Sequence, residues 1–244
     1  MDYLNEYLLK VIPIKILELL AAIAGTYYIR KNQDTLLINK YLVYFLWYTF
    51  ISEVIASYGV IAYFSNYGYF GFIKDTIFER TFWLYNIYLL LFYSFFIYYF
   101  NELLVSNSLK KVIKIVLFVL LIVGVIHLIY DNLLFKDNSL YIIIVGSFFL
   151  LLTIIVFYFS LLKSDRILNL RKYLPIYVSL GILVFSFCII PLDIFSNYFN
   201  TKNDIYIKLR INILLFINIF MYSTFIIGFL VCAKNKTKTE KNID

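Results

Sequence analysis

Seven stretches of this chain, each about 20 residues long, consist almost entirely of apolar and aromatic residues. They lie at about 9–29, 41–64, 82–100, 112–130, 140–162, 173–196 and 208–232. An α-helix needs about 20 residues to cross the hydrocarbon layer of a bilayer, whereas the strands of a membrane barrel alternate polar and apolar positions. The pattern therefore predicts an all-α membrane protein, a bundle of seven transmembrane helices.

The composition agrees with a chain that is dissolved in lipid. Hydrophobic residues make up 63% of the sequence and charged residues only 15%, whereas about a quarter of a soluble domain is charged. The longest gap between apolar runs, about 65–81, is too short for a soluble domain. We therefore expect one transmembrane domain over 1–233, followed by a disordered basic cytoplasmic tail over 234–244.

The positive charges lie in short gaps between the runs and at their ends, and they predict an orientation. Fourteen of the 22 Lys and Arg residues fall on the side that holds the C-terminus. Cytoplasmic loops carry the excess of these residues, so the N-terminus is expected outside and the C-terminus inside. Because no basic surface is gathered on a soluble domain, the net charge of +7 does not indicate nucleic acid. The bilayer is the expected partner.

Several polar residues interrupt the apolar runs, and most fall in the outer half or near the middle of their run. Ionisable groups inside a membrane cost about 2.5–3.5 kcal/mol each on insertion scales and usually face the bundle interior. The placement predicts a polar pocket that opens to the outside. Its candidate ligand-binding or proton-binding residues are Lys15, Glu18, Glu53, Asn86, Asp193 and Asn212, and its candidate rim residues are Arg80, His127, Asp131 and Arg210.

Glu53 is the single charged residue within 44–64, and two interpretations of it stay open. It anchors a ligand or a proton, or it forms an interhelical pair with Lys15 that fixes helix packing. Lys15 and Glu18 share one helix face because they are three residues apart. If the three groups meet, two carboxylates compete for one lysine, and this surplus of negative charge favours a cationic ligand or a proton.

The other candidates also have alternatives. His127, the only histidine, forms a hydrogen bond with Asp131 at the rim, senses pH, or binds a metal. Asp193 accepts hydrogen bonds from backbone groups freed by Pro191, or it pairs with Arg210. No metal-ligand spacing or cofactor motif is present, so no metal or cofactor is expected. No catalytic motif is recognisable either, and the sequence leaves enzymatic activity undecided.

The second and third runs carry a resemblance. "YLVYFLWYTFISEVIASYGV", followed by a run that begins "FWLYNIYLLLFYSFFIYYF", resembles small seven-helix bacterial membrane proteins of unknown function. Those proteins also have Pro in the first helix, an acid in the middle of the second and Asn in the third, at positions matched here by Pro13, Glu53 and Asn86. The similarity covers about the first 100 residues and implies no activity. We expect a multi-pass protein of a bacterial plasma (inner) membrane.

Three functions fit these observations. The first is a receptor-like or sensory membrane module that takes a small polar ligand from outside. Since it has no signalling domain of its own, it acts through a signalling or complex-forming protein. The second is a small proton-coupled transporter, which needs a polar path to the inside. The third is a structural subunit of a membrane complex, whose buried charges only fix the packing.

Overall fold

The computed structural model describes residues 2–196 and 204–234, and the regular structure in these ranges is helical throughout. The long helices are α1 (Asp2–Lys31), α2 (Leu37–Phe64), α3 (Phe82–Glu102), α4 (Asn107–Tyr130), α6 (Leu140–Leu162), α7 (Leu174–Ser196) and α8 (Asp204–Lys234). A four-residue helix, α5 (Leu133–Lys136), and two 3-10 segments, Gly71–Ile73 and Asp165–Lys172, lie in the connections. Almost all of the tail expected over 234–244 lies outside the described residues.

Each long helix contains a segment long and apolar enough to cross a bilayer. These segments are Val11–Lys31, Leu37–Phe64, Phe82–Glu102, Asn107–Tyr130, Leu140–Leu162, Leu174–Ile194 and Lys208–Ala233. The predicted all-α, seven-helix fold is confirmed. The chain is a multi-pass integral membrane protein.

The connections define two opposite ends of the bundle. We call the end formed by 65–81 and 131–139 the long-loop face, and the end formed by 32–36, 103–106 and 163–173 the basic face. The connections of the basic face carry Lys163, Arg166, Arg171 and Lys172. On the expectation from charge, the basic face is cytoplasmic and the long-loop face is external.

Six of the long helices form a closed ring, and α4 lies outside it. Around the ring, α1 packs on α2, α2 on α3, α3 on α6, α6 on α7, α7 on α8, and α8 on α1. Helix α4 packs mainly against α3 and, more weakly, against α6. Its apolar side chains are therefore largely exposed, as expected for a helix that faces lipid, with Ile115 and Phe118 as examples.

An aromatic layer fills the centre of the ring. The rings of Phe45 on α2 and Phe95 on α3 stack with centroids 4.2 Å apart. Phe92 and Phe96, one turn apart on α3, meet edge to face at 4.9 Å, and Phe96 reaches Phe225 of α8 at 6.4 Å. Offset and edge-to-face arrangements are those that aromatic rings prefer. This layer separates the long-loop half of the interior from the basic face.

Candidate ligand-binding site

A polar cavity of about 210 Å³ lies between α1, α2 and the start of α3, in the half of the bundle nearer the long-loop face. Its polar lining consists of Lys15, Ser52, Glu53, Ser57, Thr81, Tyr85 and Tyr88. Ala56, Val60 and Leu84 complete the wall. The cavity therefore combines one amine and one carboxyl with a set of hydroxyl groups.

Lys15 is held by neutral oxygens of α2. Its Nζ donates to the backbone carbonyl oxygen of Glu53 at 3.1 Å and also contacts Oγ of Ser57. Ser57 Oγ donates in turn to the same carbonyl at 3.0 Å. In the described part of the chain, no ion pair joins the Lys15 amine to a carboxylate. The lysine therefore connects α1 to the backbone of α2 and leaves the Glu53 carboxyl facing the cavity.

Glu18 lies behind this cavity, one turn further along α1. Only 3% of the residue is exposed, and its Oε2 has no hydrogen-bond partner. The carboxyl lies beside the phenol of Tyr222 on α8, and it is close enough to Glu53 and Lys15 for their charges to interact. The sequence left open whether Lys15, Glu18 and Glu53 converge, and in the structure they lie close enough for their charges to interact. The cluster contains two carboxyls and one amine.

A second polar contact lies between α7 and α8. Arg210 donates from Nη2 to Oδ1 of Asp193 at 3.0 Å. Asp193 is 4% exposed, and both groups interact electrostatically with Tyr85, a residue of the cavity wall. The sequence offered two partners for Asp193, the backbone groups freed by Pro191 and the side chain of Arg210. The structure shows the pair with Arg210. Because a guanidinium already neutralises this carboxylate, it is a weaker candidate for a ligand contact than Glu53.

Two other predicted ligand residues are placed differently from what the sequence suggested. Asn86 is fully buried, and its Nδ2 lies 2.9–3.4 Å from the carbonyl oxygens of Leu133, Leu134 and Asp137. Its Oδ1 accepts from the backbone N–H of Ser139 at 3.0 Å. Asn86 therefore holds the 131–139 connection and does not line the cavity. Asn212 is exposed on α8 and does not line it either.

None of the predicted rim residues lines this cavity. His127 contacts Asp131 through Nδ1 at 2.7 Å, and its ring lies 4.8 Å from that of Tyr141. Arg80 is exposed, with its guanidinium 5.8 Å from the ring of Phe82. Together with Arg210 in its pair with Asp193, these side chains do not form the single polar rim that we expected.

The cavity contains hydroxyl-bearing residues that the sequence analysis did not select. Ser57 follows Glu53 by four residues, and Tyr85 follows Thr81 by four, so each pair lies on one helix face. This four-residue spacing is the feature of the sequence that could have identified these residues as part of the cavity. It was overlooked because Ser and Thr in membrane helices often bond to their own backbone, and because Tyr is too abundant, at 24 residues, to stand out.

Aromatic rings pack against the cavity wall on the side of the basic face. Tyr88, in the cavity wall, has ring contacts with Tyr48 at 6.5 Å and with Phe92 at 5.9 Å. Phe92 then continues into the layer through Phe96. On this side, the polar lining of the cavity therefore adjoins packed aromatic rings.

Comparison of the chain with models of protein families, with curated proteins and with solved structures finds no match. Across residues 2–196 and 204–234, no group of three or more His, Cys, Asp and Glu side chains is placed to hold a metal ion.

Proposed function

We propose that this membrane protein binds a small organic cation in the cavity between α1, α2 and α3 and acts as a receptor-like or sensory module. The observation that carries the proposal is the charge of the cluster: two carboxyls lie with one amine, and that amine is held by neutral oxygens. A ligand with a primary ammonium group would pair with the Glu53 carboxyl and could donate to the hydroxyl groups of the wall.

The size and position of the cavity support a compact ligand that enters from one side. A volume of about 210 Å³ is below the usual range of pockets for drug-sized ligands. The cavity lies near the long-loop face, which we expect to be external. Binding at this depth would be communicated through α1, α2 and α3 to a partner protein at the basic face of a bacterial plasma membrane.

The aromatic rings between the cavity and the basic face favour sensing over transport. A transporter needs a polar path to both sides of the membrane, whereas Tyr88 and Phe92 join the cavity wall to a continuous aromatic layer. Flux separates the two functions. A receptor-like module in liposomes would bind ethylammonium without accumulating it, and a pH-driven uptake of ethylammonium would instead support the transporter.

The proposal is tested by thermal unfolding in detergent with ethylammonium, and with propionate as an anion of similar size. Ligand at about 100 times its Kd stabilises the folded state by roughly 2.7 kcal/mol, so we expect ethylammonium to raise Tm by several degrees. Propionate should leave Tm unchanged. Glu53→Gln should abolish the ethylammonium shift because it removes the carboxylate that faces the cavity.

Glu102→Gln is the matched control. Glu102 lies at the basic face, where it pairs with Lys114 at 2.7 Å, far along α3 from the cavity. This variant should retain the full ethylammonium shift. Equal stabilisation of wild type and Glu53→Gln would show that ethylammonium does not bind at Glu53 and would overturn the proposed site. The absence of any shift with ethylammonium in wild type would leave the buried charges with a packing role and would favour the structural subunit.

A further inference from the structure

A second and larger cavity, an open groove of about 630 Å³, lies at the long-loop face outside the ring of helices. One wall is the end of the 65–81 connection, and the other is formed by the end of α4 together with α5. The proposed cation site does not share its lining residues. The groove therefore requires its own explanation.

Two acidic and two basic side chains line this groove: Asp75, Glu79, Arg80 and Lys136. No ion pair described in the structure involves any of the four. Glu79 is held in place from its own segment, since Tyr67 donates to Oε1 at 2.6 Å and the Asp75 N–H donates to Oε2 at 3.2 Å. The groove thus presents charges of both signs that form no described ion pair with one another.

The remaining wall of the groove is apolar and continues into the surface that faces lipid. Leu128 and Ile129 of α4 line the groove. Ile122 and Ile126 precede Ile129 on the same face of α4, and all three isoleucines are between 44% and 66% exposed. An apolar track therefore leads from the charged groove into the depth of the bilayer, which is the arrangement that an amphiphile with a charged head requires.

We propose that this groove binds one phospholipid with a zwitterionic headgroup that ends in a primary ammonium, as in phosphatidylethanolamine. Arg80 and Lys136 are the groups that would contact the phosphate, and Asp75 and Glu79 would accept hydrogen bonds from the ammonium. An acyl chain would follow Ile129, Ile126 and Ile122. Other headgroups fit the groove less well. An anionic headgroup has no ammonium to pair with the carboxylates of Asp75 and Glu79, and a choline headgroup has no N–H that could donate to them.

Native mass spectrometry of the detergent-purified protein tests this inference. Phosphatidylethanolamine, phosphatidylcholine and phosphatidylglycerol with identical acyl chains would be added in equal amounts. Because exposed ion pairs are weak, we expect phosphatidylethanolamine to be retained about threefold more than either of the others. Asp75→Asn with Glu79→Gln should remove this preference, and Arg80→Gln with Lys136→Gln should lower the retention of all three lipids.

Lys74→Gln is the matched control, because Lys74 is exposed in the same connection but does not line the groove. It should leave the lipid preference unchanged. The single variant Asp75→Asn should reduce the preference without disturbing the fold, because no hydrogen bond of the Asp75 side chain is described in the structure. Equal or stronger retention of phosphatidylglycerol by wild type would overturn the proposal, as would an unchanged preference in the Asp75→Asn, Glu79→Gln double variant.

Discussion

At the scale of single residues, the neighbours of each buried polar side chain decide its role. Lys15 and Asn86 were both predicted as pocket residues from their position in an apolar run. In the structure Lys15 reaches α2 and lines the cavity, whereas Asn86 faces a connection and is satisfied by four backbone groups. Buried polar groups are nearly always hydrogen-bonded, and the partner distinguishes a site residue from a packing residue.

Replacement of Asn86 by Ala should destabilise the protein without affecting ligand binding. The substitution removes the hydrogen bonds that the Asn86 side chain makes with the buried N–H of Ser139 and with three carbonyl groups. Each buried polar group left without a partner lowers the free energy of unfolding by about 1–3 kcal/mol. We expect the free energy of unfolding, measured by titration with denaturing detergent, to fall by about 2–3 kcal/mol. Hydrogen exchange should increase in 133–139.

Asn138→Ala is the control for Asn86→Ala, because Asn138 lies in the same connection and its side chain is exposed. It should change the free energy of unfolding by less than about 0.5 kcal/mol. If both variants lowered stability equally, the hydrogen bonds of Asn86 would not be responsible for anchoring the connection.

The long-loop face contains a pair whose behaviour depends on pH. The phenol of Tyr67 donates to the Glu79 carboxylate at 2.6 Å, and this hydrogen bond raises the pKa of Tyr67 above its ordinary value near 10. Because the folded state holds the proton more tightly, the contact is fully present below the ordinary pKa of Tyr. It is lost only as pH rises through the raised pKa.

Fluorine NMR with 3-fluorotyrosine placed only at position 67 measures this titration. Glu79→Gln should lower the midpoint, because the hydrogen bond to a charged acceptor is the main cause of the raised pKa. Asp75→Asn should lower it less, since Asp75 acts only through its charge and is among the smaller causes. Identical midpoints in wild type and Glu79→Gln would contradict the assigned contact.

At the scale of helices, α7 and α8 share the most extensive contact of any helix pair described in the bundle. Glycines lie where the two helices touch. A Cβ added at Gly228 of α8 would lie 2.6 Å from Cβ and 2.9 Å from Cγ of Tyr177 on α7. These atoms are near the backbone and cannot swing away. Small residues at helix interfaces allow this approach in membranes, where apolar residues gain no hydrophobic advantage from leaving lipid.

Gly228→Ala should therefore separate α7 from α8 and lower stability. Overpacking costs about 1–3 kcal/mol and the helix propensity of Ala returns up to about 1 kcal/mol, so we expect a net loss of about 1–2 kcal/mol. Gly71→Ala is the control, because an added Cβ there meets no atom within 4 Å. Titration with denaturing detergent measures both, and a Gly228→Ala protein as stable as wild type would show that Tyr177 can move aside.

At the scale of the whole molecule, the ring of six helices gives the protein two unlike ends. The half nearer the long-loop face holds the charged cavity and the groove. The aromatic layer lies between this half and the basic face. From the excess of Lys and Arg, we expect the basic face to be cytoplasmic. On this orientation, both candidate ligand sites are supplied from outside or from the outer leaflet.

Cysteine labelling in intact cells tests the orientation. In a background with Cys188→Ser and Cys232→Ser, we would introduce Lys74→Cys at the long-loop face or Leu168→Cys at the basic face; both native residues are exposed. A maleimide that does not cross membranes should label Lys74→Cys directly and Leu168→Cys only after permeabilisation. The reverse pattern would place the N-terminus and both candidate sites on the cytoplasmic side.

The sequence by itself determined the class of fold, because only helices can satisfy the backbone of seven apolar runs within a bilayer. It also indicated which runs contain costly polar groups. Tertiary structure decided which of those groups meet, since the hydrophobic pattern of a membrane helix does not specify its rotation about its own axis. Close packing and hydrogen bonds set that rotation, and they placed Lys15, Glu18 and Glu53 together while turning Asn86 toward a connection.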